Sequence, residues 1–288
     1  MSQSEISHTT SYKWLQLIIV LVGLIVFILL FFADKTHLEN PTIADISVGT
    51  IPDKTRTAGE GLPPLAPDNK LDKWVNILNR SNETEKPRLL DSIIVSLQSR
   101  KRFAYASDYA NELIKLDSSL QNRLLAGELS YQATKLDFIQ ADSSLFRRYS
   151  NRSLTNLKKV VAQAPENDRA LLTLGLAYIE SGVAQNSMMG IQTIRKVLEI
   201  NPQNADASFH LGMFSIQTGQ YDKAKERFEE VLRLRPDDHQ AKFQLAYSLA
   251  QLGDILRAKL MLQEVIGQTK DTQLKVLAQN LFNSLALR

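Results

Sequence analysis

Self-similar sequence in the second half of the chain constrains the fold more than any other feature. Residues 205–238 and 239–272 carry the same landmarks 34 residues apart, and residues 168–204 repeat them in a unit that is three residues longer. The matched positions are Leu174-Gly175, Leu211-Gly212 and Leu245-Ala246, then Gly219 and Gly253, Ala224 and Ala258, Val231 and Val265, and Pro202 and Pro236. A period of this length is typical of helix pairs that bury their apolar faces only by stacking on one another.

The spacing of the small residues predicts two helices in each unit. A small residue after the leucine lets the second helix approach, and Gly219 is suited to the turn before that helix. Ala224 is small where the two helices cross, and Pro236 ends the second helix. The three extra residues of the 168–204 unit are expected in the turn between its helices, between Gly182 and Gly190.

These landmarks closely resemble those of the tetratricopeptide repeat family, although Lys270 stands where the last unit would have proline. The resemblance implies an all-α fold, a right-handed α-solenoid of tetratricopeptide-type helix pairs. It covers three repeats, 168–204, 205–238 and 239–272. Residues 70–167 are interpreted as a short leading helix and two degenerate repeats. Residues 273–288 are expected to form a C-terminal capping helix.

The N-terminal part indicates a membrane anchor. After a tail at residues 1–13, the run from Trp14 to Ala33 holds 20 residues without a charge, and a helix of that length spans about 30 Å. We therefore predict one transmembrane helix at 14–33, with a cleaved signal peptide and a buried core helix as the alternatives. Residues 34–69 hold five prolines and three glycines without apolar periodicity, which predicts a disordered, flexible linker.

The expected location is the cytoplasmic (inner) membrane, crossed once. Lys13 and Lys35 flank the run on either side, so the positive-inside count is tied. The short tail favours an extracytoplasmic C-terminal domain. An anchor followed by tetratricopeptide repeats resembles the layout of bacterial envelope proteins.

The sequence gives little sign of catalysis. Cysteine is absent, the four histidines form no HxxxH or HExxH pair, and no phosphate-binding loop or GxSxG motif occurs. We expect no enzyme activity, cofactor or metal. A net charge of +3 is too small to predict nucleic-acid binding. A basic cluster at Arg147, Arg148, Arg152, Lys158 and Lys159 is interpreted as an exposed helix face, with a contact to lipid headgroups or an acidic partner as the alternative.

The family resemblance also implies a partner-binding groove, because the first helices of successive repeats line a concave surface. The side chains carried over to it are Leu172, Leu176, Ile179, Phe209, His210, Met213, Ile216, Gln240, Phe243, Gln244 and Tyr247. The lysine, asparagine and arginine with which one subset of the family clamps a C-terminal carboxylate are missing here. An apolar wall suits a protein partner offering a helix or extended segment with apolar anchors. The alternative is that some of these side chains are buried between repeats or covered by the terminal helix.

The expected function is a membrane-tethered protein–protein interaction scaffold in the cell envelope. One alternative is a structural membrane protein that self-associates into a homo-oligomer. Another is an accessory factor for c-type cytochrome maturation or protein secretion. A small-molecule accessory would need a closed polar pocket, for which the sequence shows no convergent polar set.

Overall fold

The computed structural model describes residues 61–63, 69–181 and 184–286, all within the unit Thr57–Arg288. These residues form thirteen α-helices and no strand. The tail, the predicted transmembrane helix at 14–33 and most of the predicted linker lie outside them. Among the helices of the described ranges, none combines the length and the apolarity needed to cross a membrane.

The helices follow one another with short connections. The first seven are α1 (Asn69–Leu78), α2 (Lys86–Ser99), α3 (Phe103–Leu116), α4 (Leu120–Ala133), α5 (Asp137–Gln140), α6 (Ser143–Gln163) and α7 (Asp168–Glu180). The remaining six are α8 (Ala184–Ile200), α9 (Ala205–Gln217), α10 (Tyr221–Leu234), α11 (His239–Gln251), α12 (Ile255–Gln268) and α13 (Thr272–Ala286).

The helices pack as five antiparallel pairs: α2 with α3, α4 with α6, α7 with α8, α9 with α10, and α11 with α12. Each second helix also contacts the first helix of the next pair, and α13 packs on both α11 and α12. The predicted all-α helical-repeat solenoid of tetratricopeptide type is confirmed.

Repeated capping residues set where the first helices begin. The side chains of Asn167, Asn204 and Asp238 each accept a hydrogen bond of 2.9 Å from the backbone N–H three residues later. These bonds satisfy donors that a helix N-terminus leaves without a partner. A proline stands two residues after the end of each preceding helix, at Pro165, Pro202 and Pro236. Proline and cap together place the boundary between repeats.

Glycines on the first helices allow close helix crossings. A Cβ atom at Gly212 would lie 2.8 Å from the Phe228 ring, and one at Gly175 would lie 2.6 Å from Ile194 Cγ1. Gly127 on α4 has the same role, since its Cβ would lie 2.7 Å from Leu157 Cγ. The degenerate unit therefore keeps the glycine at the helix crossing, which the repeat spacing alone does not indicate.

The three extra residues of the 168–204 unit do fall between Gly182 and Gly190, but the expectation that they lie in a turn is wrong. They lengthen the second helix at its N-terminus, so that α8 has 17 residues where α10 and α12 each have 14. Gly190 takes the place of Ala224 at the helix crossing. A Cβ atom at Gly190 would lie 2.5 Å from the Gly175 carbonyl oxygen. Because the inserted segment has no proline, nothing prevents it from continuing the helix.

Residues 61–63, which the sequence assigns to the flexible linker, contact the solenoid. Leu62 packs against the cluster that contains Ala104 and Tyr149. The Tyr105 hydroxyl donates a hydrogen bond to the Pro63 carbonyl. The chain is thus held against α3 and α6 shortly before α1 begins.

Candidate functional site

The first helices of the last three pairs carry every predicted groove residue. Helix α9 contacts α11, which in turn contacts α13. The predicted residues are Leu172, Leu176 and Ile179 on α7, then Phe209, His210, Met213 and Ile216 on α9, and Gln240, Phe243, Gln244 and Tyr247 on α11. The structure brings them onto adjacent helices, but it exposes them unequally.

The α7 residues mainly pack between repeats. Leu176 is only 8% exposed and belongs to a buried cluster with Leu171 and Ile194. Leu172 and Ile179 are half-buried against the same cluster. For this part of the set, the alternative of burial between repeats describes the structure better than an open groove.

The α9 and α11 residues form a half-exposed apolar surface. Phe209, Met213 and Phe243 are half-buried against the last core cluster, as is Ile216. The Phe209 ring packs edge-on against buried Phe228, with centroids 5.6 Å apart. The ring centroids of Tyr247 and Tyr221 lie 6.2 Å apart. The core thus supports Phe209, Met213, Ile216 and Phe243 from one side, whereas Tyr247 packs against Tyr221.

Helix α13 extends this surface beyond the predicted set. Val276 and Leu277 are 54% and 53% exposed and lie 33 residues after Phe243 and Gln244. The capping helix therefore places apolar side chains at the groove positions of a further first helix. We call the combined surface the groove strip; it consists of Phe209, Met213, Ile216, Phe243, Tyr247, Val276 and Leu277.

A polar cluster that the sequence did not reveal lies beside His210. The Tyr131 hydroxyl donates a 2.8 Å hydrogen bond to Glu180 Oε1, and Lys135 forms an ion pair with the same carboxylate. Burial, followed by the Glu180 charge, raises the pKa of Tyr131, so the phenol stays protonated. Tyr131 and Glu180 stand 49 positions apart in sequence, and no motif connects them.

His210 is held neutral by its surroundings. Burial lowers its pKa below the ordinary 6.5, and Lys135 acts in the same direction, while Asp206 and Glu180 oppose the shift. Its ring meets Phe209 edge-on at 5.8 Å. No group of three potential metal-ligating His, Cys, Asp or Glu side chains occurs within the described ranges. His210 therefore contributes an uncharged ring next to the groove strip.

The interpretation of the basic cluster as an exposed face is wrong for Arg148 and Arg152. Arg152 is 15% exposed and forms an ion pair with Asp108, which is 4% exposed on α3. Arg148 donates a 3.1 Å hydrogen bond to the hydroxyl of Tyr149. Buried Asp108 draws these side chains inward, because a buried carboxylate needs a charged or donating partner.

The sequence model described as "Tetratricopeptide repeat" matches residues 191–242 and 215–281. Residues 191–281 of the α-solenoid therefore resemble tetratricopeptide repeats. Proteins built from these repeats generally mediate protein–protein interactions.

The structural neighbours agree with this fold. A tetratricopeptide repeat protein from Parabacteroides merdae has a TM-score of 0.58 at 16% identity, over 75% of this chain and 79% of that one. A thermophilic tetratricopeptide repeat protein from Thermus thermophilus has a TM-score of 0.51 at 19% identity, over 72% of this chain and 100% of that one. At these identities the likeness shows the fold alone.

One curated protein is similar over part of the chain. The Schizosaccharomyces pombe protein ypp1, whose name refers to cargo transport, is 29% identical over 129 residues, which is 43% of this chain. The match covers 14% of that protein's length.

Proposed function

We propose that this chain is a membrane-tethered protein–protein interaction scaffold of the cell envelope. It binds a helical or extended segment of a partner protein along the groove strip. The proposal assigns no catalytic step, no cofactor and no metal to the chain.

The observation that carries the proposal is the exposure of apolar side chains at matching positions of three successive first helices. Val276 and Leu277 at the end of the row are each more than half exposed. Exposed and half-exposed apolar side chains on neighbouring helices of a folded domain are typical of an interaction site. Its side chains repeat along the stack, which suits a segment that places apolar anchors at regular intervals.

The membrane part of the proposal rests on the sequence of residues 14–33. We propose that this run anchors the chain in the cytoplasmic membrane and leaves the solenoid on the extracytoplasmic side. Membrane fractions washed with alkaline carbonate should retain the full chain and release a variant without residues 14–33. Protease added outside intact spheroplasts should cleave the solenoid if the orientation is right, and should spare it if the orientation is reversed.

The binding surface is tested by two matched substitutions of exposed leucines. Leu277→Asp places a charge in the groove strip, whereas Leu256→Asp places one on α12, where Leu256 is 72% exposed. Neither change should alter the helical circular dichroism. Leu277→Asp should lower the yield of crosslinked partner roughly tenfold, and Leu256→Asp should leave it unchanged. Equal yields from both variants would reject the groove strip as the site.

Self-association is the second candidate function, and one feature favours it. Leu252, in the turn before α12, is 39% exposed, and Leu256 and Leu260 on α12 continue this exposed stripe at 72% and 53% exposure. The positions equivalent to the last two are Asp222 and Glu226 in the preceding repeat. Light scattering on the detergent-solubilised chain measures its mass in solution. A wild-type mass greater than that of one chain, together with a single-chain mass for Leu256→Asp, would favour self-association. A single-chain mass for both proteins would exclude it.

A further inference from the structure

A half-open pocket lies between α8, α9 and α10, on the other side of α9 from the groove strip. Its volume is about 360 Å³, within the range of small-ligand sites. The lining is Ile191, Arg195, Leu211, Phe214, Ser215, Thr218, Gln220, Lys223, Glu226 and Arg227. Leu211 and Phe214 are spaced to share a face of α9 opposite Phe209 and Met213. We call this cavity the junction pocket.

The charges of the junction pocket are unbalanced. Arg195, Lys223 and Arg227 line it together with one carboxylate, Glu226. Lys223 Nζ donates a 2.6 Å hydrogen bond to Gln220. Within the part of the chain that the structure describes, the exposed Arg195 side chain has no hydrogen bond, ion pair or ring contact. Like charges in a half-open pocket repel one another, although solvent screens the repulsion, and an anion bound between them would be attracted by all three.

In each of the two neighbouring repeat junctions, the residue at the position of Arg195 has an interaction partner. In the junction before it, the equivalent Lys158 lies with its Nζ 5.3 Å from the Tyr178 ring centroid. In the junction after it, the equivalent Glu229 pairs with Arg257 at 3.6 Å.

The junction that contains Arg195, between these two, lacks both kinds of partner. Ser215 stands where Tyr178 supplied a ring, and Lys223 stands at the position of Arg257. In the following junction, Glu229 pairs with the cation Arg257. In the middle junction, the equivalent positions hold two cations, Arg195 and Lys223, so an external anion could take the place of the missing carboxylate.

We propose that the junction pocket binds an anionic group, a phosphate or a carboxylate, carried on an apolar stem. The guanidinium groups of Arg195 and Arg227 supply paired N–H donors that match such an anion. Leu211 and Phe214 form the apolar floor on which the stem lies. This site is separate from the groove strip and does not depend on the function proposed for it.

The test is calorimetric titration of the full-length chain with phenyl phosphate, phenylacetate and inorganic phosphate. Arg195→Glu reproduces the charge pattern of the following junction, so the variant should fold. Its new carboxylate should neutralise the remaining cations of the pocket and so remove the anion site. Lys196→Glu is the matched control, because Lys196 is exposed on the same helix, outside the pocket.

The wild-type chain should bind at least one of the two aryl anions more tightly than inorganic phosphate. Arg195→Glu should weaken that binding roughly tenfold or more, the loss expected for a charge-assisted hydrogen-bonded contact. Lys196→Glu should change it by less than about twofold. Tighter binding of phenyl phosphate would point to a phosphorylated ligand, and tighter binding of phenylacetate to an acidic one.

The proposal is overturned if neither aryl anion binds the wild-type chain, or if the two charge reversals weaken binding equally. If Arg195→Glu loses its helical circular dichroism, Arg195→Gln takes its place in the same comparison. Partner capture by the groove strip should be unchanged in either Arg195 variant, so the two proposals fail independently.

Discussion

Replacing Gly175 by alanine should separate the helices of the third pair. The added Cβ would lie 2.6 Å from Ile194 Cγ1 and 2.9 Å from the Gly190 carbonyl oxygen. The backbone contact cannot be relieved by a rotamer change, so the helices must move apart. Overpacking of this kind costs up to about 3 kcal/mol, and alanine recovers about 1 kcal/mol of helix propensity. The expected net loss is about 2 kcal/mol.

The matched control is the same substitution at Gly267, on α12. Its Cβ would meet nothing within 4 Å, so only the helix propensity changes, and Gly267→Ala should stabilise the protein by about 1 kcal/mol at most. Urea denaturation followed by circular dichroism should give a lower midpoint for Gly175→Ala and a slightly higher one for Gly267→Ala. Midpoints that rise together for both variants would refute the crossing argument.

Three further predictions concern the described residues. Arg152→Met should cost about 3 kcal/mol in urea denaturation, because it leaves the Asp108 charge buried, and Asp108→Leu in the same chain should restore most of the loss. Burial lowers the pKa of His210 in the folded chain. As the pH falls through 6.5, the unfolded chain therefore binds more protons at this residue than the folded chain does, and the free energy of unfolding decreases. His210→Gln should show a smaller loss of stability between pH 7.5 and pH 5.5 than the wild type; an equal loss would contradict this. Asp238→Ala should cost about 1 kcal/mol through loss of the helix cap, and Asp238→Asn, which keeps the cap, should not.

The helical-repeat architecture could be predicted because its determinants are local and periodic. Leu211-Gly212 and Ala224 recur at a fixed interval, and each marks a contact between helices that adjoin in sequence. Pro236 marks a helix end for the same local reason. The length of α8 could not be predicted in this way, because an insertion without proline or a turn motif reads equally well as loop or helix.

The candidate site could be predicted only in part, since exposure depends on neighbours distant in sequence. Leu176 has the register of a groove residue, yet packing against Ile194 buries it. The sequence does not single out Leu277, because residues 273–288 lack the landmarks of a repeat and are expected to form a cap, although their register continues the groove positions. The Arg152–Asp108 pair joins residues 44 positions apart, and the position of Arg195 differs from its counterparts because of Ser215 and Lys223 in the next repeat.

Site-specific photocrosslinking in the native cells tests the central claim most directly. A benzophenone side chain at Tyr247 lies in the groove strip, and one at Leu256 lies on the exposed stripe of α12. We predict that position 247 crosslinks one partner protein in stoichiometric yield and that position 256 does not. Crosslinking of that partner from position 256 alone, with none from position 247, would contradict the assignment of the groove strip as the binding surface.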